Sequence, residues 1–262
     1  MPEITSIHNP KVQRLRLLMQ KRAVRESDGQ YVVEGVRLAE EAWLQEQLPV
    51  EVYFSDCLSE RGLRLVENFK SKGITVISMA EDVLQRVSET ETSQGILLVM
   101  PMPVLTAASR LDFVLVLDQI RDPGNAGTML RSAAAAGVQR VIAAPETTDL
   151  FAPKVVRAGM GAHFRLDLQT LTWDEIARLC KDQPVALKLM IADAAAKKSL
   201  WQQDLRQPVA LVIGNEADGV SAAARQYSDD SILIPMPGQF ESLNAAVAAG
   251  ILLFEVVRQR SQ

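Results

Sequence analysis

Five short runs rich in β-branched and aliphatic residues, Phe113–Leu117, Val141–Ala143, Ala186–Ile191, Val209–Ile213 and Ser231–Ile234, punctuate the second half of the chain, and helix-period segments separate most of them. A strand that is apolar at successive positions has to be covered on both faces, because its side chains point alternately to either side of the sheet. Strands of that kind alternating with helices predict an α/β fold, a mostly parallel sheet with helices on both sides. Such sheets bind ligands beyond the carboxyl ends of their strands, so the loops that follow these runs are where chemistry is sought.

The first half repeats the pattern on a smaller scale. Tyr31–Glu34, Val50–Phe54, Ile74–Ile77 and Ile96–Val99 read as strands, with helices expected near 36–47, 60–72 and 80–87. Between the halves stands Met100-Pro101-Met102-Pro103, where two prolines without backbone donors interrupt helix and strand ladders alike. The expected organisation is therefore a small α/β domain over 1–100, a linker over 101–110 and a larger domain over 111–262.

Charge is uneven along the chain. The net formal charge is −4, yet residues 1–25 hold six bases against Glu3 alone, while the remainder is acidic to neutral. Asn9-Pro10 supplies a cap and a first-turn proline, and Val12, Leu15, Leu18 and Met19 share one helical face, leaving Lys11, Arg14, Lys21 and Arg25 mostly off it. This arm reads either as an amphipathic helix packed on the body or as a phosphate-contacting element, and the two uses are compatible.

Several classes drop out. Hydrophobic residues make up 48% and charged residues 23%, average globular usage. The longest apolar run, Ala245 to Phe254, is about half of the roughly 20 residues that span a bilayer, and the first fifteen residues have no apolar core like that of a signal peptide, so a cytoplasmic protein is expected. Two distant cysteines, Cys57 and Cys180, and two histidines, His8 and His163, encode neither a disulfide framework nor a local metal site.

Three loops carry candidate chemistry. After Phe113–Leu117 comes Asp118-Gln119-Ile120-Arg121-Asp122-Pro123-Gly124-Asn125-Ala126-Gly127-Thr128-Met129-Leu130-Arg131, leading into an alanine-rich helix. Turn chemistry accounts for Asp122-Pro123-Gly124, and Asn125 can cap the first free amides of the helix; neither accounts for Arg131, whose planar fork suits phosphate oxygens. After Val209–Ile213 comes Gly214-Asn215-Glu216-Ala217-Asp218-Gly219-Val220-Ser221, which has the glycine spacing of a P-loop but Val220 where the phosphate-binding lysine belongs, and this excludes nucleoside-triphosphate hydrolysis of that type. After Ser231–Ile234 comes Pro235-Met236-Pro237-Gly238, stiff and extended, then Ser242-Leu243-Asn244 before an apolar helix. Ser242, Asn244 and Ser221 all double as potential helix caps.

Taken in order, these three motifs resemble those of the SpoU (TrmH) family of RNA ribose 2′-O-methyltransferases, within the SPOUT superfamily, over nearly all of 111–259. The Asn9-Pro10-Lys11-Val12 start and the Tyr31-Val32-Val33-Glu34-Gly35 strand resemble, less specifically, the family's RNA substrate-binding domain. The resemblance implies an S-adenosyl-L-methionine-dependent enzyme, a trefoil knot at the C-terminal end of the parallel sheet, a homodimer with a shared active site, and no metal. Its implied substrate is ribosomal RNA of the large subunit; transfer RNA, or RNA binding without catalysis, stays open.

Carried over residue by residue, the resemblance makes Asn125, Arg131, Ser242 and Asn244 the catalytic set. A guanidinium is a poor base at neutral pH, so Arg131 is expected to orient the target ribose and stabilise its developing alkoxide. Backbone around Ile213, Gly214, Glu216, Gly219, Ile234, Met236, Gly238 and Leu243 is expected to cradle the cofactor. Ala245-Ala246 stand where many members have Val-Ser. Lys11, Arg14, Lys21 and Arg157 are the RNA-contact candidates, and His163 reads as a structural histidine.

Overall fold

The computed structural model describes residues 2–103, 110–215, 217–238 and 242–262, and its contacts divide the chain into two units, 1–104 with 151–164, and 105–150 with 165–262. In the first unit the elements run α1 (Pro10–Gln20), α2 (Arg22–Asp28), β1 (Gln30–Glu34), α3 (Val36–Leu44), β2 (Glu51–Phe54), α4 (Glu60–Ser71), β3 (Thr75–Ser78), α5 (Glu81–Val87) and β4 (Ile96–Pro101). The sheet order is β1-β4-β2-β3, with β4 antiparallel to β1 and β2, and β2 parallel to β3. Alternation along the strands sorts the core into two layers. Tyr31, Val33, Val52 and Leu98 face α3 and α4, while Val32, Tyr53, Leu97 and Val99 face α1 and α5.

The arm helix forms as its sequence directs. Asn9 Oδ1 accepts from the Lys11 amide at 2.9 Å, Pro10 occupies the first turn, and Val12, Leu15, Leu18 and Met19 are the buried residues.

In the second unit the elements are β5 (Phe113–Leu117), α6 (Pro123–Ala136), β6 (Arg140–Ala143), β7 (Asp167–Thr170), α8 (Trp173–Lys181), β8 (Lys188–Ala192), β9 (Val209–Ile213), α9 (Ala222–Tyr227), β10 (Asp230–Ile232) and α10 (Ala245–Arg260); α7 (Pro153–Gly159) lies between β6 and β7 in sequence. Six strands form one sheet, β10-β8-β9-β5-β6-β7, and every adjacent pair is parallel. The order reverses at β5, which has β6 on one side and β9 on the other, so a crevice opens at the carboxyl ends of β5 and β9. Helix α10 packs against α6 and β9.

Four sequence expectations need correction. Strand β7 was not expected; only Leu168 of its four residues is buried, and a polar edge strand leaves no apolar run to read. The expected strand Ser231–Ile234 stops at Ile232 because the chain turns away from β8, and the Leu233 amide donates to the Lys198 carbonyl at 3.0 Å instead. Segment 151–164, which the sequence assigns to the larger domain, groups with the first unit. There Val156 and Phe164 join the core of Tyr31 and Val33. The expected linker, 101–110, begins too early, because β4 runs on through Pro101, which stands opposite Gln30 of β1 at the end of the strand; its residues 104–109 lie outside the described residues.

Candidate active site

The site is built at the carboxyl ends of β5, β8, β9 and β10. Asp118, the first residue after β5, is fully buried, and its Oδ2 accepts from the Ser221 amide at 2.6 Å. Burial pushes the Asp118 carboxyl above its ordinary range, and the Ser221 hydrogen bonds only partly offset this. Ser221 in turn caps α9 through the Ala224 amide. The first motif is thereby tied to the end of the second. A second tie is made by Asn215, whose Nδ2 donates to the Gln119 carbonyl at 3.4 Å, while Gln119 holds a left-handed φ of 57° that costs a non-glycine residue energy.

The two glycines of the second motif have different reasons. Gly219 sits at φ 69° and pairs backbone to backbone with Asn215 in both directions at 2.9 Å. Gly214 is a close approach: a Cβ there would stand 2.3 Å from the Gly219 carbonyl oxygen.

Asp122, rather than Asn125, caps α6, its Oδ1 accepting from the Asn125 amide at 2.7 Å. The Asn125 side chain is directed elsewhere. Its Oδ1 accepts from Asn244 Nδ2 at 3.0 Å, joining the first motif to the third across 119 residues. Asn244 also caps α10, its Oδ1 accepting from the Ala246 and Val247 amides at 3.0 and 3.2 Å. One side chain thus starts a helix and fixes the neighbouring one.

A cavity of about 340 Å³ lies among these loops. Of the cofactor candidates, Ile213, Gly214, Gly219, Ile234, Met236 and Leu243 line it, and so does Ser242 of the catalytic set. Gly238 does not, and Glu216 lies outside the described residues. Asn125, Arg131 and Asn244 are not part of the wall. Arg131 is exposed on α6 together with Thr128 and Ala135; six residues of helix turn it roughly 120° away from Asn125. Sequence reasoning missed Asp193 and Arg225, which line the cavity and are ion-paired with each other. Their signal was positional, since Asp193 directly follows an apolar strand run and Arg225 sits on the helix that Ser221 caps.

The RNA-contact candidates have partners inside the first unit. Lys11 Nζ pairs with Glu51 at 2.5 Å, Arg14 pairs with Asp28 at 3.2 Å and Glu51 at 3.7 Å, and Arg157 faces Glu34 at 3.6 Å and Glu89 at 3.3 Å. Burial pushes Glu51 upward, but Lys11, Tyr53 and Arg14 together hold its carboxyl below the ordinary value. Lys21 is exposed at the junction of α1 and α2. Lys11, Arg14 and Arg157 are thus engaged in ion pairs within the first unit.

Size and chemistry of the cavity suit S-adenosylmethionine. The volume falls within the usual range for small-ligand sites, and aliphatic side chains and glycine backbone share the wall with polar groups, among them Asn215, Asp218, Ser242 and the Asp193–Arg225 ion pair. Described as the SpoU rRNA Methylase family, one sequence profile matches residues 112–254. The chain belongs to this family. An MRM3-like substrate binding domain matches residues 9–98 of this SpoU member. It is 33% identical over 258 residues to the 23S rRNA (guanosine(2553)-2′-O)-methyltransferase RlmP of Bacillus subtilis, covering 98% of this chain and 99% of that one. It is 34% identical over 273 residues to the 23S rRNA (uridine(2479)-2′-O)-methyltransferase of Streptomyces viridochromogenes, covering 98% and 92%. The solved SpoU methyltransferase AviRb from Streptomyces viridochromogenes, in complex with AdoMet, superposes with a TM-score of 0.89 at 30% identity over 97% of this chain and 99% of that one.

Proposed function

We propose that this SpoU family member transfers a methyl group from S-adenosylmethionine to a ribose 2′-hydroxyl of large-subunit ribosomal RNA. The observation that carries the reading is the convergence of three separate motifs on one crevice, fastened by the Asn125–Asn244 hydrogen bond at 3.0 Å beside a cavity of matching size. The two 23S methyltransferases above act on different nucleosides, a guanosine and a uridine. The ribose is what they share.

Bound in the cavity, S-adenosylmethionine supplies an electrophilic methyl on a sulfonium. The chain's own residues do the rest. Ile213, Ile234, Met236 and Leu243 exclude water from the cofactor's apolar parts, and Ser242, exposed at the wall, offers a hydroxyl to its polar end. Asn125 and Asn244 fix the geometry of the two helix starts between which the acceptor ribose is placed. Arg131 grips the target phosphate and ribose and stabilises the oxyanion that forms as the 2′-hydroxyl loses its proton. Holding donor and acceptor in line supplies roughly 7–11 kcal/mol of barrier reduction.

A homodimer belongs to the same proposal. Val247, Ile251 and Phe254 are 51%, 37% and 50% exposed and recur at one helical spacing on α10, which packs against α6. An apolar stripe of this kind is what a second copy would cover. Membership of the family supports the trefoil knot, as does the return of the chain from edge strand β10 to seat α10 on α6. No helix among the described residues is long and apolar enough to cross a membrane, and the reading places the protein with its RNA in the cytoplasm.

Transfer of labelled methyl from S-adenosylmethionine to undermodified cellular RNA, followed by alkaline hydrolysis, tests the proposal. A 2′-O-methyl group blocks attack on the neighbouring phosphate, so label is expected in alkali-resistant dinucleotides of large-subunit RNA. Label confined to transfer RNA overturns the substrate, and no label with cofactor bound leaves an RNA-binding protein.

A further inference from the structure

The loop after β8 and helix α9 share a charged pair that none of the three motifs contains. Asp193 follows Ala192 directly, lines the cavity, and has a side chain only 14% exposed. Its Oδ1 accepts from the Ala195 amide at 2.9 Å, and its Oδ2 accepts from Arg225 Nη1. Burial pushes the carboxyl up, but that amide and the guanidinium outweigh it and hold Asp193 below its ordinary value. Asp218, the other described carboxylate on the wall, is exposed.

We propose that Asp193, set in place by Arg225, binds the two ribose hydroxyls of the cofactor, an inference that rests on the S-adenosylmethionine reading of the cavity. The argument is one of acceptor count. A carboxylate has about four acceptor positions; the Ala195 amide takes one on one oxygen and Arg225 takes one on the other. About one position per oxygen is left toward the cavity. A vicinal diol presents two hydroxyl donors side by side and fills both, whereas the adenine amino group, the other donor of an adenosine, has a single nitrogen to offer. A largely desolvated carboxylate with acceptor positions to spare needs such donors.

Placement agrees. Sheet order puts β9 between β8 and β5, so Asp193 stands two strands, roughly 10 Å at the usual spacing, from the end of β5, the strand that leads into α6 and the Asn125–Asn244 bond assigned to the acceptor side in the proposed function. The sugar hydroxyls lie on the adenosyl side of the sulfonium and so face away from the acceptor. Arg225 orders the carboxylate and is a positioning residue. Asp193 itself would touch the cofactor.

The test is calorimetric and needs no turnover. Wild type and Asp193→Asn are titrated with S-adenosylmethionine, with 5′-methylthioadenosine and with its 2′,3′-dideoxy form. Wild type is expected to bind the diol at least about tenfold more tightly than the dideoxy form, since a hydrogen bond to a charged group is involved. Asp193→Asn should bind S-adenosylmethionine about tenfold more weakly or worse and lose most of that preference. If the variant keeps the wild-type preference, Asp193 merely staples α9 to its loop and the proposal fails. The wild-type comparison stands even where the variant does not fold: equal affinity for the two nucleosides also overturns the proposal. Wild type that binds no S-adenosylmethionine at all overturns the cofactor reading, and this inference with it.

Discussion

Asn244 does two jobs that substitution can separate. It caps α10 through the Ala246 and Val247 amides and donates to Asn125 Oδ1. Replacing a capping asparagine by alanine costs about 1 kcal/mol, and the exposed Asn125 bond adds roughly 0.5–1 kcal/mol, so Asn244→Ala should lower stability by about 1.5–2 kcal/mol. For a domain of this size that is a melting shift of roughly 3–8 °C. Asn244→Asp keeps an acceptor for the cap and gains from the helix dipole by about 0.3–1 kcal/mol, but loses the donor and sets a carboxylate against the Asn125 oxygen. It should melt within about 2 °C of wild type and still transfer methyl groups poorly. Urea unfolding of Asn125→Ala, Asn244→Ala and the double variant reads the bond directly, with a coupling of about 0.5–1 kcal/mol expected. Strict additivity of the two single variants, or an Asn244→Asp protein as unstable as Asn244→Ala, refutes the separation of roles.

Other outcomes follow from the same geometry. Arg131→Ala is expected to lower methyl transfer by about a hundredfold or more, the scale of losing one charge-stabilising group, while S-adenosylmethionine affinity by calorimetry stays within about threefold; a parallel loss of affinity would place Arg131 in the cofactor site instead. Lys21→Gln should reduce the slope of log affinity for RNA against log salt by about one, whereas Lys11→Gln, which removes a partner of Glu51, should change it less; equal slopes would mean that the ion pair opens on RNA. Gly214→Ala forces a Cβ to within 2.3 Å of a backbone oxygen and should abolish cofactor binding or soluble expression; a normally binding variant would show the crossing to be looser than described. Burial pushes the Cys180 thiol up to about 12, so native protein at pH 8 should take up one alkyl group, on exposed Cys57, by intact mass; modification of Cys180 as well would mean that α8 opens.

The sequence was most legible where burial is two-sided. Phe113–Leu117 and Val209–Ile213 are strands from end to end because all five residues of each are buried. It was least legible where tertiary contact decides. Strand β7 holds one buried residue among four; β10 ends early because the Lys198 carbonyl captures the Leu233 amide; and segment 151–164 carries apolar residues whose partners, Tyr31 and Val33, lie more than a hundred positions away. The site shows the same division. Glycine spacing, caps and the Arg131 anomaly are local and could be read, although Asp122 rather than Asn125 proved to be the α6 cap. The Asp193–Arg225 pair joins two elements 32 residues apart and matches no local pattern, so only the fold brings it to the cavity.

The same residues bear on how the 2′-hydroxyl is activated. Asn125 and Asn244 are amides and take up no proton, and Arg131 keeps its own. Asp193 is held below the ordinary carboxylate range by its amide and guanidinium partners, which makes it a weak base, and it belongs to the loop after β8, two strands from β5. Asp118, whose carboxyl is pushed upward, is sealed from the cavity and already bonded to Ser221. In the proposed function Arg131 acts on the product of deprotonation by lowering the energy of the alkoxide, and the proton leaves to a phosphate of the bound RNA or to water. The remaining catalytic weight in that function falls on alignment, through the two helix starts that the Asn125–Asn244 bond holds together.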